Sequence, residues 1–432
     1  MNFKKTIVNG LCGIGDRMKP VLLKVLPKSL LKKIKGNLIA SAYNDRTARV
    51  PYEPGAYPAG VNLVGYIKAQ MGLGQGCRLM AGALEQSGLP FLIMDTRVGN
   101  PFNHSDTSWE HKIEKSPWYA VNLFHVNPEQ MPPLQLSLPT DMLDKRYNIG
   151  IWLWELPDFP DEWCGAFSLV DEVWAPSVFN CESIRKKSPV PVKLIPYGIE
   201  APFDETLDRA HFGLPEDKFL FLAMYDANST IQRKNPLGAI EAFKAAFPPE
   251  DASVGLVLKI NNPKPEDLQA ISAVLEGYSN VYLIQHTMPK TEVNALIRLV
   301  DAFVSLHRAE GFGLVIAEAM LLGTPVIATN WSANVDFMNA ENSCPVAYTL
   351  QPIGEDHFFY KAYQTWAEPD TQDAARYMRR LATEPDYGTR LAENARRFIS
   401  EKYSMECSAN AVRKRMEEIF ASLPEETDET AE

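Results

Sequence analysis

Ser305-Leu-His-Arg-Ala-Glu-Gly-Phe-Gly-Leu-Val-Ile-Ala-Glu-Ala-Met-Leu-Leu-Gly-Thr-Pro-Val-Ile-Ala-Thr329 decides the fold. Its approach, Ala302 to Leu306, is an apolar run that reads as a buried parallel strand. A turn punctuated by Gly311 and Gly313 follows at the carboxyl end of that strand. Leu314 to Leu322 then has helical apolar spacing, stopped by Gly323 and Pro325, and Pro325 to Ala328 reads as a second strand. A strand, Gly-rich turn, helix and strand aim free backbone N–H groups and a helix N-terminus at one point, which suits a phosphate. Two carboxylates frame that point. Glu310 precedes the turn and Glu318 lies about one turn inside the helix, where each can accept hydrogen bonds from sugar or ribose hydroxyls.

Two glutamates separated by seven residues around Gly-Phe-Gly, followed by Ala-Met-Leu-Leu-Gly-Thr-Pro-Val-Ile-Ala-Thr, resemble the signature of retaining family 4 glycosyltransferases of the GT-B fold. The resemblance covers most of the chain from about Val61 to Arg397. It is strongest from Leu299 to Met338 and moderate from Phe179 to Pro196. It implies two facing Rossmann-like, doubly wound α/β domains with a cleft between them. It also implies that Glu310 contacts the donor sugar, Glu318 the nucleotide ribose, and Gly311, Phe312, Gly313 and Leu314 the donor.

Size agrees with two domains: the chain has 432 residues, 46% of them hydrophobic, enough for two cores. No segment has eighteen consecutive apolar residues, so no spanning helix is expected. The N-terminus lacks the shape of a signal peptide. Six scattered cysteines, with no Cys-x-x-Cys pair, fit free thiols in a reducing cytoplasm.

Charge is unevenly placed. Residues 1–50 hold eleven Lys/Arg and two Asp, so this arm carries +9 and the remainder −20 of the total −11. Val21 to Lys35 mixes leucine and lysine at roughly helical spacing, interrupted by Pro27. Two readings of residues 1–36 stand: a basic amphipathic segment on an anionic membrane surface, or a solvated arm packed on the acidic body. Nucleic acid is not expected as a partner, because the acidic body offers no basic surface to extend contact.

Outside the signature, strands alternate with helices, as in parallel doubly wound sheets. Strands are expected at Val61–Ile67, Pro90–Met94, Tyr119–Phe124, Asn148–Trp154, Glu172–Ala175 and Val192–Ile195. A second set begins at Phe219–Met224 and continues at Val254–Ile260, Val281–Ile284 and Ala302–Leu306. The expected division is a basic arm at 1–50, an acceptor domain at 51–198 and a donor domain at 199–387. Helices at 388–422, crossing back to the first domain as in the family, and a disordered acidic tail at 423–432 complete it.

Ligands of open α/β sheets bind at the carboxyl ends of strands, so the cleft residues are strand-end ones. Arg233 and Lys234 follow the first strand of the second domain and resemble the basic residues that hold the donor diphosphate. Lys234 is expected to be exposed. The family's usual arginine, about five residues before the lysine, falls on Ser229, which leaves open whether Arg233 supplies that charge. No Asp-x-Asp occurs, so no metal or other cofactor is expected; charge neutralisation falls to Arg233, Lys234 and the helix N-terminus.

On the facing domain, Gly72, Gly74 and Gly76 read as a flexible loop before a helix at Leu79–Ser87, with Gly74 assigned to the donor and Gly72 to the acceptor. A simple turn is the other reading. His125 ends a strand, where the family places a histidine near the donor sugar. Trp154 and Glu155 lie in an aromatic and acidic stretch suited to stacking a sugar and binding its hydroxyls. The neighbouring Trp152 fits a core position equally well.

The reading is a retaining, metal-independent, hexosyltransferase-like glycosyltransferase at the cytoplasmic face of a membrane. It uses a nucleotide-diphosphate sugar and a saccharide or lipid-linked saccharide acceptor in polysaccharide assembly. Glu310, His125 and Lys234 are its candidate catalytic residues. Alternatives are a nucleotide-sugar epimerase or phosphorylase, and a non-enzymatic, membrane-docked nucleotide-binding subunit.

Overall fold

The computed structural model describes residues 49–100, 103–357 and 359–421. The basic segment at 1–36 and the acidic tail at 423–432 lie outside the described residues.

Each domain is built on a six-stranded parallel sheet. The first contains β1 (Val61–Gly65), β2 (Phe91–Asp95), β3 (Val121–His125), β4 (Tyr147–Ile151), β5 (Glu172–Ala175) and β6 (Val192–Leu194), in the order β2-β1-β3-β4-β5-β6. These are short apolar runs, and those of β1 and β3 are buried along their whole length, as expected for strands covered on both faces. Three buried asparagines cross the sheet in register. Asn62 donates to Asn122 at 2.9 Å, and Asn122 donates to Asn148 at 2.8 Å. Each amide in this row finds a partner, so its burial is compensated.

The second sheet contains β7 (Phe219–Asp226), β8 (Val254–Asn261), β9 (Val281–Ile284), β10 (Ala302–Ser305), β11 (Val326–Thr329) and β12 (Cys344–Val346). Its order, β12-β11-β10-β7-β8-β9, is the Rossmann 3-2-1-4-5-6 arrangement read from one edge. Both sheets therefore have a topological switch point, between β1 and β3 in the first and between β7 and β10 in the second.

Helices complete the layers. Those that position the site are α1 (Gly72–Ser87), α2 (Met131–Ser137), α3 (Val178–Arg185), the short α4 (Ile231–Lys234), α5 (Pro236–Ala246), α6 (Pro265–Val274), α7 (Lys290–Leu299) and α8 (Leu314–Leu322). After β12 the chain forms an antiparallel hairpin, β13 (Tyr348–Pro352) and β14 (Thr365–Pro369), then α9 (Thr371–Thr383), α10 (Pro385–Lys402) and α11 (Met405–Ala421).

α11 lies on α1 of the first domain. Arg413 donates to the Ser87 carbonyl at 2.9 Å, and Arg415 reaches the fully buried Glu172 of β5 at 2.5 Å. Burying a carboxylate is costly unless a cation is paired with it.

One expectation changes here. The glycines at 72, 74 and 76 are not a flexible loop but the first turns of α1, which starts seven residues earlier than the sequence suggested. Gly74 is required by close approach, since a Cβ there would sit 2.1 Å from the Ala69 carbonyl oxygen. Glycine's low helix propensity misled the reading; tertiary contact overrides it.

Candidate active site

The switch point of the second sheet is tied shut by hydrogen bonds between its two loops. Asn235, in the left-handed conformation that ends α4, accepts from the Gly238 amide and donates to the Leu306 carbonyl at 2.9 Å. The Arg308 amide donates to the Arg233 carbonyl at 2.8 Å. These bonds bring the basic pair after β7 against the carboxylate after β10.

There Glu310 is almost fully buried, at 8% exposure, between two cations. Lys234 Nζ donates to its Oε1, and Arg233 Nη1 lies 3.5 Å from its Oε2. Burial alone would push the Glu310 carboxyl up, but Lys234 and Arg233 outweigh it and hold the group at about 2. Burial pulls the Lys234 amine down, against the opposing pull of Glu310. The Arg233 guanidinium also loses by burial, yet neighbouring Tyr360, Glu310 and Glu155 keep it firmly charged. Arg233 donates to Ser229 Oγ at 2.9 Å, so this serine helps hold the guanidinium in place.

The Lys234 expectation is thereby corrected: its ammonium is partly buried against Glu310 rather than exposed. A lysine at the end of a short helix carries no sequence mark of the counterion waiting for it 76 positions later.

Gly313 caps α8 with φ 89°, a left-handed value that favours glycine, and leaves the helix N-terminus free of any side-chain cap. The Gly311 carbonyl accepts from Ser177 Oγ at 3.2 Å and Asn180 Nδ2 at 2.8 Å, both from the first domain. A Cβ on Gly311 would stand 3.4 Å from Leu153 and 3.7 Å from Glu155 Cγ. The turn thus lies directly under the segment after β4, and the two domains are closed over the site. Phe312 turns its ring away into a cluster with Tyr197, Phe337 and Tyr403, so only its backbone faces the turn. Leu314 opens α8 and is half-buried.

Glu318 is 1% exposed and pairs with Lys290 at the start of α7, at 2.5 Å. Burial raises its carboxyl, while Lys290 and, across the domain boundary, Arg78 act against that rise. Its Oε1 is buried without a partner, an open acceptor inside the site.

The first domain's switch point has a different character. Gly65 and His125 face each other across β1 and β3. His125 is fully buried, with Nε2 2.8 Å from the Tyr197 hydroxyl, and burial pushes its imidazole down to about 4. Its ring meets Tyr197 rather than Glu310, and Tyr197 in turn packs edge-on to Phe312. Gly76 of α1 covers it: a Cβ there would lie 3.0 Å from His125 Cε1. Gly72 is exposed at the start of α1 and Gly74 is buried against Ala69.

Trp154 departs from expectation. It is 1% exposed, stacked on Tyr360 at 5.5 Å and edge-on to Trp163 at 4.8 Å, with its indole N–H given to the Asp158 carbonyl. Both faces are covered, so it offers no stacking platform in this conformation. Aromatic composition alone does not distinguish a sugar platform from a packed cluster. Trp152 is likewise buried, against Phe159 and Phe167. Glu155 is half-buried and faces the Gly311 turn.

Three residues at the site escaped the sequence reading. Lys290 pairs with Glu318. Ser332, at φ 71°, accepts the Glu310 amide at 2.8 Å. Tyr360, from the β13–β14 hairpin, stacks on Trp154, the neighbour of Glu155. A lysine at the first position of a helix, a serine in a loop and a tyrosine in a hairpin carry no spacing that marks them as site residues.

Comparison with known proteins places this geometry. Residues 204–349 match the sequence profile described as "Glycosyl transferases group 1". "Glycosyltransferase 1 domain-containing protein 1" of Xenopus tropicalis is 26% identical over 173 residues, 40% of this chain; the chain spans 44% of that relative's length. Among solved structures, HepE of Anabaena in complex with UDP-glucose superposes with a TM-score of 0.59 at 13% identity, covering 84% of this chain and 100% of that one. Sucrose-phosphate synthase from Thermosynechococcus elongatus gives 0.62 at 15% identity, with the same coverage. The fold is the GT-B fold, two Rossmann-like parallel-sheet domains, and its second domain carries the group 1 glycosyl transferase match.

Proposed function

We propose that this protein is a retaining glycosyltransferase, moving a sugar from a nucleotide-diphosphate donor to a saccharide or lipid-linked saccharide without a metal ion. One observation carries the reading. Two cations, the buried Arg233 and the partly buried Lys234, and one carboxylate, Glu310, converge at the β7–β10 switch point beside the uncapped N-terminus of α8. That is where an open α/β sheet receives a nucleotide. The UDP-glucose in the HepE complex makes a nucleotide sugar the natural donor class here.

The chemistry follows from charge. As the bond from anomeric carbon to β-phosphate oxygen breaks, negative charge gathers on the diphosphate, and Arg233, Lys234 and the α8 amides stabilise it. The acceptor oxygen bonds to the same face of the anomeric carbon, and its proton passes to the departing phosphate oxygen. Glu310, kept ionised, meets the positive charge developing on the sugar; the open Oε1 of Glu318 accepts a ribose hydroxyl. His125, neutral and buried behind Tyr197, orients the turn through Phe312 rather than exchanging protons. Among the described residues no helix is long and apolar enough to cross a membrane, so contact with a lipid-linked acceptor would be made at the surface, with residues 1–36 as the proposed basic contact on its inner face.

The test is thermal shift of the full chain with UDP, GDP and ADP and their sugars. A nucleotide at a hundred times its Kd adds about 2.7 kcal/mol of stability. Failure of all of them to raise Tm would overturn the reading.

A further inference from the structure

Helix α3 holds both walls of the crevice between the domains. Ser177 caps its N-terminus, accepting the Asn180 amide at 3.1 Å. Asn180 and Ser183 follow three residues apart, so their side chains share one face of the helix. That face runs along the segment after β4. Asn180 accepts the Trp154 amide at 3.0 Å, and Ser183 donates to the Leu156 carbonyl at 2.9 Å. The backbone around Glu155 is therefore fastened on both sides.

Asn180 does something more than Ser183. Its Nδ2 also donates, at 2.8 Å, to the Gly311 carbonyl in the turn of the second domain. Glu310, the residue before, is held from the opposite side: its amide donates to Ser332 Oγ, and its carbonyl accepts from the Ala333 amide at 3.3 Å. One side chain thus ties the residue before Glu155 to the residue after Glu310. Asn180 is fully buried, so losing either bond strands a main-chain group away from solvent. An apolar residue of similar size could fill the same space, but two directed hydrogen bonds fix an alignment that packing alone does not.

We infer that Asn180 is a positioning residue of the transfer centre, its amide aligning the Glu155 segment of the first domain with the Glu310 turn of the second. The role rests on the glycosyltransferase reading, whereas the clasp itself rests on the hydrogen bonds. The groups proposed to hold the nucleotide, Arg233, Lys234, Glu318 and the α8 N-terminus, all belong to the second domain. The clasp therefore serves transfer more than nucleotide binding. Ser183→Ala is the control, because it loosens the same segment and leaves Gly311 held.

The full chain, Asn180→Ala and Ser183→Ala are titrated with UDP, GDP and ADP and assayed for nucleotide release from UDP-glucose, GDP-mannose and ADP-glucose. Hydrogen exchange at residues 153–157 and 309–313 is followed without ligand. In Asn180→Ala, kcat falls roughly tenfold or more while nucleotide affinity stays within about threefold. Exchange in that variant rises about tenfold or more in both segments. In Ser183→Ala, exchange rises at 153–157 alone and kcat stays within about threefold. Asn180→Ser, too short to bridge both groups but leaving room for a water between them, takes the place of an alanine chain that does not fold.

Unchanged exchange at 309–313 in the Asn180 variant overturns the clasp. Unchanged kcat, an equal loss of kcat in Ser183→Ala, or a matching loss of nucleotide affinity overturns the positioning role. A wild-type chain that neither binds these nucleotides nor releases them from their sugars, with exchange still raised in both segments of the Asn180 variant, instead sinks the glycosyltransferase reading and leaves the clasp standing.

Discussion

The two sheets reverse direction at equivalent places, but the crevices at those places are chemical opposites. Between β7 and β10 stand the buried Arg233 and Glu310 and the partly buried Lys234, a cluster of opposite charges. Between β1 and β3 stand Gly65 and a neutral His125, covered by Gly76 and Tyr197. The first crevice is built from charge and the second from shape. A diphosphate leaving group needs fixed positive charge, whereas its partner domain must close over the turn and exclude water. Both crevices lie beside the first strand of a parallel sheet, where the strand order reverses, so their chemical difference lies in side chains.

The sharpest way to break this comparison is to remove charge from the first crevice. Lys234→Ala should raise the barrier to transfer by roughly 2–4 kcal/mol, as loss of one electrostatic stabiliser does elsewhere. Glu310 is then left with Arg233 alone, so Tm should fall as well, contrary to what an exposed lysine would give. Turnover of the variant, with its Tm, checks both. Wild-type turnover would show that Lys234 serves only to keep Glu310 buried.

The second crevice should answer to pH instead. The His125 imidazole sits near 4 when folded, below the ordinary value of about 6.5 in the unfolded chain. The unfolded state therefore binds the proton first. The stability that neutral His125 contributes is complete above about 6.5 and is lost as pH falls towards 4, on the order of 3 kcal/mol in all. His125→Gln should flatten Tm against pH across that window. A mutant profile parallel to wild type would mean that another group drives the acid limb.

The same contrast explains what could be read from sequence. The signature around Glu310 and Glu318 is local: strand, turn and helix follow one another, and their spacing encodes the geometry directly. The strand sets were legible too, because buried parallel strands are written as apolar runs. Contacts between distant segments were not. Lys290 lies 28 residues from Glu318, and Tyr360 about two hundred from Trp154, with no periodicity to pair them. The helix start at Gly72 was hidden for the opposite reason: its glycines oppose helix locally, and only the approach to Ala69 explains them. Trp154 was misread because stacking on a sugar and stacking on Tyr360 ask for the same residue.

Within the charged crevice, the two glutamates should separate. Glu318 is buried with one open oxygen, so Glu318→Gln should weaken UDP and donor sugar alike, by roughly tenfold, or about 1.4 kcal/mol. Glu310 meets charge that appears only as the bond breaks, so Glu310→Gln should lower kcat while bare-nucleotide affinity changes little. Calorimetric titration with UDP beside turnover of the sugar donor reads the split. Equal loss of UDP affinity in both variants would erase the proposed division of labour.

The smallest expected effect is that of a chelator. A divalent cation on a diphosphate needs carboxylates with charge to spare, and Glu310 is already matched by Lys234 and Arg233. A metal ion placed there would also face two fixed cations at short range, where repulsion in a buried site is strong. On the proposed reading, Arg233 and Lys234 supply the neutralising charge of this crevice. Transfer measured in EDTA should remain within about twofold of the rate in Mg²⁺, because the Lewis-acid role is filled by side chains. If EDTA stops the reaction and Mn²⁺ or Mg²⁺ restores it, Arg233 and Lys234 are not sufficient. The contrast between a charged and a neutral crevice would then have to be redrawn around a metal.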